Sequence, residues 1–201
     1  MTPETDETPP LPPLPITGVA EADRLLAEEP LALLLGMLLD QQVPMEWAFR
    51  GPWSLKQRLG GELDAIAIAS LDPEALVAVF CDKPALHRYP AAMARRAHAV
   101  CLHVAERYDG DAGAIWRGER SAQKLYARIR QLPGYGEEKA KILLAILGKR
   151  FGVAPRGWKA LALPFSDRVP RSAADVSGPE ALARVRAFKR EQKRRGLGKA
   201  D

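Results

Sequence analysis

The sequence predicts an all-α protein, and three features of the 201-residue chain support this fold class. Alanine and leucine, which favour helices, are abundant along the chain. Apolar residues recur at helical spacing from about Val19 onward, and no stretch shows the strict alternation of a half-buried strand. A chain of this length can bury a core as one domain or as two small lobes.

The N-terminal segment has a different composition from the rest of the chain. Residues 1–15 hold six prolines and three acidic residues, so we expect a disordered or extended tail there and a helical domain over residues 16–201. This acidic start does not resemble a signal peptide, and the longest apolar run, residues 31–39, is too short to span a bilayer. We therefore expect a cytoplasmic monomer with no membrane partner.

Proline and capping residues indicate where the first helices begin. Pro30 suits the first turn of a helix that runs to about Gln42. Asp72 is a good N-cap, and Pro73 a good first residue, for a second helix. A long amphipathic helix follows Pro90, with one apolar face made of Met93, Ala97, Val100, Cys101, Val104 and Tyr108.

The second half of the chain predicts a pair of helices and then a basic terminal helix. Residues 121–148 contain two amphipathic helices, the first capped by Ser121. A break rich in glycine and proline follows at residues 151–158, and a longer loop at residues 162–178. The last helix begins at Pro179 and carries many Lys and Arg residues outside its apolar stripe.

Charge is distributed unevenly along the chain, although the net charge is only +5. Residues 1–30 hold seven acidic residues and one basic residue. Residues 117–159 hold eleven basic and three acidic residues, and residues 184–199 hold eight and one. This pattern favours a polyanionic partner, and a solvated basic surface is the alternative.

The cysteines and histidines exclude several kinds of cofactor site. The only cysteines are Cys81 and Cys101, so the chain cannot supply a disulfide framework or a four-cysteine zinc or iron–sulfur site. His87, His98 and His103 share no spacing typical of metal ligands. We expect neither a metal centre nor a cofactor.

The segment LPGYGEEKAK, residues 132–141, predicts a tight turn between two helices. Pro133 cannot continue the preceding helix. Gly134 and Gly136 permit positive φ and a close approach to the backbone. The turn should therefore present backbone amides to an anion.

This pattern resembles the helix–hairpin–helix motif, in which hairpin amides hold a phosphate of double-stranded DNA, often with a bound monovalent cation. The resemblance implies that Gly134, Tyr135, Gly136, Lys139 and Lys141 contact DNA. An ordinary turn of an αα-hairpin is the alternative.

Over about residues 30–160 the chain resembles the helix–hairpin–helix, Gly/Pro-rich loop, Asp superfamily of DNA glycosylases. Alkylated-base and adenine glycosylases carry helices that end in a glutamine pair near the displaced base, as Gln41 and Gln42 do here. The resemblance implies a two-lobed helical fold and a role in base-excision repair. Solvent exposure is the alternative explanation for the glutamine pair.

The chain departs from that superfamily at two positions. Where an aspartate follows the Gly/Pro-rich loop in the family, this chain has Arg156, and no carboxylate occurs between Glu138 and Asp167. We expect Arg156 to lie beside the DNA. The lysine of the bifunctional members is replaced by Glu138, so we expect no lyase activity.

Three aspartates are candidates for the missing acid, which would support positive charge on the sugar as the base leaves. Asp40 directly precedes the glutamine pair and is the preferred catalytic candidate, whereas Asp167 and Asp175 lie in the later loop. Each aspartate is alternatively a helix cap or an ion-pair partner. The large aromatic residues are candidates for stacking on a base or for the core: Trp47, Trp53 and Trp158.

Two functions are consistent with this sequence. The first is a monofunctional DNA glycosylase that acts on damaged bases, including alkylated ones, in duplex DNA. The second is a catalytically inactive protein that binds damaged or distorted DNA. A scaffold that binds a protein partner through the same hairpin is a more distant third.

Overall fold

The computed structural model describes residues 13–198 and residue 200. These residues form ten α-helices and two short 3₁₀ turns with no strand, which confirms the all-α prediction for the described chain. The helices are α1 (Ala20–Glu28), α2 (Pro30–Leu39), α3 (Met45–Arg58), α4 (Ala65–Ala69), α5 (Pro73–Cys81), α6 (Pro90–Tyr108), α7 (Ala122–Gln131), α8 (Glu137–Arg150), α9 (Trp158–Leu161) and α10 (Pro179–Arg195). The 3₁₀ turns are Ala112–Ile115 and Ala173–Asp175.

The predicted helix starts agree with the structure. The Asp72 carboxylate accepts a hydrogen bond from the Glu74 amide at 2.8 Å, and the Ser121 hydroxyl accepts one from Lys124 N at 3.4 Å. These bonds satisfy amides that have no partner inside their own helices. Prolines at positions 30, 90 and 179 each begin a helix, as their fixed φ and missing N–H favour.

α2 is the central helix of the core. Every residue from Leu31 to Leu39 is buried, as expected for a helix that is apolar on all sides, and it packs against α1, α3 and α6. The buried residues of the described chain form one continuous cluster. None of the described helices combines the length and apolar character that crossing a membrane requires.

The end of α2 differs from the prediction. The helix stops at Leu39 instead of continuing to Gln42, because Asp40 has ψ +69° and Gln42 has the left-handed φ of +58°. Asp40 and the two glutamines therefore form a turn instead of a last helical turn.

The predicted tail over residues 1–15 needs a correction at its C-terminal end. Residues 1–12 lie outside the described part of the chain. Leu14 is buried, and its amide donates to the Asp23 carbonyl at 3.1 Å. The Asp23 carboxylate in turn accepts from the amides of Ile16 and Thr17 at 3.0 and 2.7 Å. The helical body therefore includes residues 13–15, because Leu14 contributes apolar surface to the core.

α8 combines a buried apolar face with a close contact at its C-terminal half. Residues 142–147 are buried. At Gly148, an added Cβ would lie 2.6–2.7 Å from three atoms of the Trp158 indole, which is nine-tenths buried. The glycine therefore lets α9 pack directly against α8.

We expect Gly148→Ala to destabilise the protein. The indole is rigid and buried, so the extra methyl must displace it, and overpacking outweighs the gain in helix propensity by about 1–2 kcal/mol. Urea unfolding measures this loss. In a Trp158→Leu background the same substitution should cost little, and an equal cost in both backgrounds would contradict the packing explanation.

Candidate functional site

The turn between α7 and α8 uses its two glycines differently. Gly134 has a φ of +81°, which favours glycine, whereas Gly136 has a φ of −68° that any residue adopts. The Tyr135 amide closes the turn by donating to Leu132 O at 3.1 Å. The predicted requirement for positive φ therefore holds at Gly134 alone.

The turn packs against the last two turns of α2. The Tyr135 hydroxyl donates to the Leu34 carbonyl oxygen at 2.6 Å, and its side chain is only 3% exposed. Burial raises the pKa of this phenol well above its usual value of 10.0. An added Cβ on Gly134 would lie 2.7 Å from Leu38 Cδ1. The Tyr135 side chain therefore anchors the turn in the core and is not available to a ligand.

Lys139 forms a second link between the hairpin and α2. Its ammonium donates to the carbonyl oxygen of Leu38. Because α2 ends at Leu39, Leu38 O has no amide from a following helical turn, and the last turn of α2 contains no basic residue. Lys139 thus caps α2 and complements the negative end of its dipole.

The turn after α2 is held by side chains from α6 and from the loop before it. Arg96 Nη1 donates to Gln41 Oε1 at 2.9 Å, and the Tyr89 hydroxyl lies 3.4 Å from Gln42 Oε1. Arginine has only donors, so the carboxamide oxygen of Gln41 must face Arg96. The amide nitrogen of Gln41 consequently lies on the opposite side of the carboxamide.

These two turns line one open cleft of about 970 Å³. Seven of the nine predicted site residues lie along it: Asp40, Gln41, Gln42, Gly134, Tyr135, Gly136 and Lys139. The other charged residues of the lining are Arg96, Arg130, Glu137, Glu138 and Lys189. The structure therefore brings a carboxylate, Asp40, to the same cleft as the glycine turn.

Lys141 and Arg156, the other two predicted site residues, do not line this cleft. Lys141 forms an ion pair with Glu137 at 2.7 Å on α8, and this pair lowers the pKa of the Glu137 carboxyl. Arg156 forms a parallel bridge with Ser121 at the start of α7, where Ala122 N donates to Arg156 O at 3.3 Å.

Arg156, which we expect beside the DNA, lies at the end of α7 away from the glycine turn. α7 has ten residues and is therefore about 15 Å long, and the glycine turn follows its opposite end. Arg156 instead lines a separate depression together with Trp116 and Arg120.

The later aspartates are held in ion pairs outside the cleft. Asp175 contacts Lys149 Nζ at 2.6 Å and accepts from the amides of Arg171 and Ser172 at 3.0 Å. Asp167 contacts Arg171 at 3.3 Å. Asp167 and Asp175 are therefore ion-pair partners, which was the alternative to a catalytic role for each of them.

The tryptophans also lie outside the cleft lining. Trp158 belongs to the core, whereas Trp47 and Trp53 line a smaller pocket of about 370 Å³ beside Arg50 and Arg58. Trp47 is 40% exposed.

Sequence reasoning did not identify three basic residues of the cleft: Arg96 on α6, Arg130 on α7 and Lys189 on α10. Each is one basic residue among several on its helix, and no local pattern distinguishes it from its neighbours. Their common location depends on how α6, α7 and α10 pack, which periodicity alone does not specify.

Comparisons with protein-family models, curated proteins and solved structures found no match. Among the described residues, no group of three or more His, Cys, Asp or Glu side chains is arranged to hold a metal ion. The case for a function therefore depends on the residues and geometry of this cleft.

We expect Gly134→Val and Gly136→Val to differ in stability. Valine at position 134 must adopt φ +81° and displace Leu38, which should lower the free energy of unfolding by about 2 kcal/mol or more. A Cβ added at position 136 lies 4.0 Å from its nearest neighbour, Arg130 Nη1, so valine there loses only a favourable N-cap residue and should cost less than about 1 kcal/mol. Urea unfolding distinguishes the two variants, and equal losses would contradict this description of the turn.

Proposed function

We propose that this protein binds duplex DNA through the cleft and acts as a monofunctional DNA glycosylase on damaged bases, including alkylated ones. The observation that carries the proposal is that the Asp40–Gln42 turn and the glycine turn line the same cleft. One turn can hold the DNA backbone while the other approaches a displaced nucleotide. We further propose that the two walls correspond to the lobes of a glycosylase-like fold.

The phosphate would lie at the start of α8. The first amides of a helix have no partner inside the helix and point out of its N-terminal end, where the dipole also favours an anion. Gly136 is exposed and adds no side chain that would hinder a phosphate. Arg130 and Lys189, which line the same cleft, add positive charge.

The nucleotide that loses its base would lie beside Asp40. Departure of the base leaves positive charge on the sugar, and a nearby carboxylate stabilises that charge and can orient the attacking water. Asp40 is half-buried at the end of α2. Arg156 does not line the cleft that holds Asp40.

A lyase amine has no role in the proposed reaction, and one carbonyl of the hairpin is poorly placed to bind a cation. Glu138 stands at the position of the family's lysine, and the neighbouring Lys139 donates to Leu38 O. A monovalent cation would need carbonyl oxygens of the turn. Tyr135 O lies 3.4 Å from the Arg130 guanidinium, which would repel a cation at that oxygen.

We expect Gly136→Val to weaken binding to duplex DNA roughly tenfold, because the new side chain separates a phosphate from charge-assisted amide bonds. Fluorescence anisotropy at several salt concentrations measures both the affinity and its salt dependence, which phosphate contacts make steep. Ala127→Val adds a similar side chain to an exposed position on α7 and should bind like wild type. A salt-independent wild-type affinity would refute DNA binding through phosphates.

We expect Asp40→Asn to reduce base release from alkylated duplex DNA roughly a hundredfold or more, with DNA binding retained. Glu138→Gln is the matched control, since it removes one negative charge from the lining of the same cleft. Single-turnover release of the free base measures the effect. Equal rates in wild type and Asp40→Asn would exclude Asp40 as the acid.

The second candidate function is a DNA-binding protein that recognises damage without cutting. It is favoured by the four cations of the cleft and by the lack of a carboxylate in the segment where the family has its aspartate. Salt-dependent binding without base release across a broad panel of lesions would establish this function instead.

A further inference from the structure

His87 lies behind the Asp40–Gln42 turn and is 1% exposed. Its Nε2 lies 3.1 Å from the backbone carbonyl oxygen of Gln41, and its Nδ1 lies 3.0 Å from the backbone nitrogen of Tyr89. The ring is flanked by Trp47 and Tyr89, with ring centroids 6.3 and 6.1 Å away.

These two contacts define the protonation state of the imidazole. A backbone N–H can only donate, so Nδ1 must accept from Tyr89 and carries no proton. A carbonyl oxygen can only accept, so Nε2 must carry the proton that it donates to Gln41. His87 is therefore the neutral Nε2–H tautomer.

The loop that carries His87 is itself fixed. Arg58 on α3 donates to the carbonyl oxygens of Val79, Asp82 and Pro84 at 2.6, 3.1 and 2.7 Å. The Leu86 amide donates to Phe80 O at 3.0 Å. The imidazole thus links the Gln41 backbone to a loop that is itself held in place by hydrogen bonds.

We propose that His87 is the positioning residue of the cleft: its Nε2–H bond to Gln41 O sets the geometry in which Gln41 and Gln42 meet DNA. The inference rests on the proposed DNA binding. The turn needs such support, because Gln42 has a left-handed φ of +58° and the last helical hydrogen bond of α2, from Asp40 N to Gly36 O at 3.1 Å, ends before the two glutamines. Arg96 fixes the side chain of Gln41, and His87 fixes its backbone.

Protonation of His87 would break its hydrogen bond with Tyr89 N while the Nε2–H bond to Gln41 O is retained. A proton on Nδ1 would face the Tyr89 N–H, so the charged ring loses an acceptor. Burial lowers the pKa of His87 below its ordinary value of 6.5, and the nearby cations Lys139 on α8 and Arg96 on α6 lower it further. As the pH falls, the unfolded chain binds this proton before the folded protein does. The contribution of His87 to the free energy of unfolding should therefore be fully present above about pH 6.5 and decrease as the pH drops below it.

A matched pair of variants tests the bond to Gln41. The amide nitrogen of glutamine can replace Nε2–H, whereas the amide oxygen of asparagine can replace only the Nδ1 acceptor. His87→Asn should lower DNA affinity about fivefold or more, and His87→Gln should recover most of that loss. His98→Asn is the control, because His98 also bonds a carbonyl oxygen, that of Leu71 at 3.1 Å, but does not line the cleft.

NMR of the protein without DNA gives an independent readout. The side-chain NH₂ signals of Gln41 and Gln42 should move toward averaged, unstructured values in folded His87→Asn but not in His87→Gln. In the wild type, imidazole ¹⁵N shifts should show the Nε2–H tautomer, a measurement that requires no variant to fold.

The outcomes separate the inference from the proposed function. A wild-type Nδ1–H tautomer, or glutamine signals and DNA affinities that are equal in the two His87 variants, would overturn the positioning role. If the wild type binds no DNA while the glutamine signals respond as expected, His87 still positions the turn and DNA binding is refuted.

Discussion

The C-terminal end of α2 needs hydrogen-bond donors that its own sequence does not supply, and the hairpin between α7 and α8 provides one. Leu38 O has lost its helical partner because the chain leaves the helix after Leu39, and the Lys139 ammonium donates to it. One turn earlier, the Tyr135 hydroxyl bonds the Leu34 carbonyl oxygen at 2.6 Å inside the core. Hydrogen bonds that involve a charged group contribute about 1.5–3 kcal/mol each, so the cap is a substantial part of a domain's net stability. The same contacts that stabilise α2 place the glycine turn beside the Asp40–Gln42 turn, so the cleft forms as a consequence of helix capping.

This arrangement gives the two glycines of the turn different physical roles. Gly134 lies against Leu38 in a left-handed conformation, and both its backbone and the space around it require glycine. Gly136 has an ordinary φ and open space where a Cβ would be, so sterics do not require glycine there, although glycine is one of the residues that helix N-caps favour. Close approach of a ligand to the backbone is a second physical reason for a residue without a side chain. Gly136 is thus the position where the sequence and the structure together favour a binding role.

The local signals in the sequence predicted the elements of this fold well, and the site only in part. Helix starts at Asp72, Ser121 and Pro90 follow from hydrogen bonds and φ values within a few residues, and these are visible in sequence. Arg156 lies outside the cleft because the Gly/Pro-rich segment that carries it pairs with Ser121, and counting along the sequence does not reveal this pairing. The burial of the Tyr135 side chain was not apparent from the sequence, because its partner, Leu34, is distant along the chain. Contacts between residues distant in sequence determine the positions of both side chains, and hydrophobic periodicity does not predict such contacts.

The cleft lies between two helix ends of opposite polarity. The N-terminal end of α8 carries partial positive charge and faces the cleft through Gly136, Glu137 and Glu138, whereas the C-terminal end of α2 carries partial negative charge and continues into Asp40. Lys139 offsets part of the negative end of α2, and Glu137 and Glu138 offset part of the positive end of α8. The proposed reaction needs two sites of opposite charge, because the phosphate of a nucleotide that loses its base stays negative while its sugar becomes positive. The phosphate would lie at the start of α8 and the sugar near Asp40. A protein that only holds DNA needs the first of these sites, so the carboxylate at the end of α2 is the feature that favours an enzyme over a binding protein.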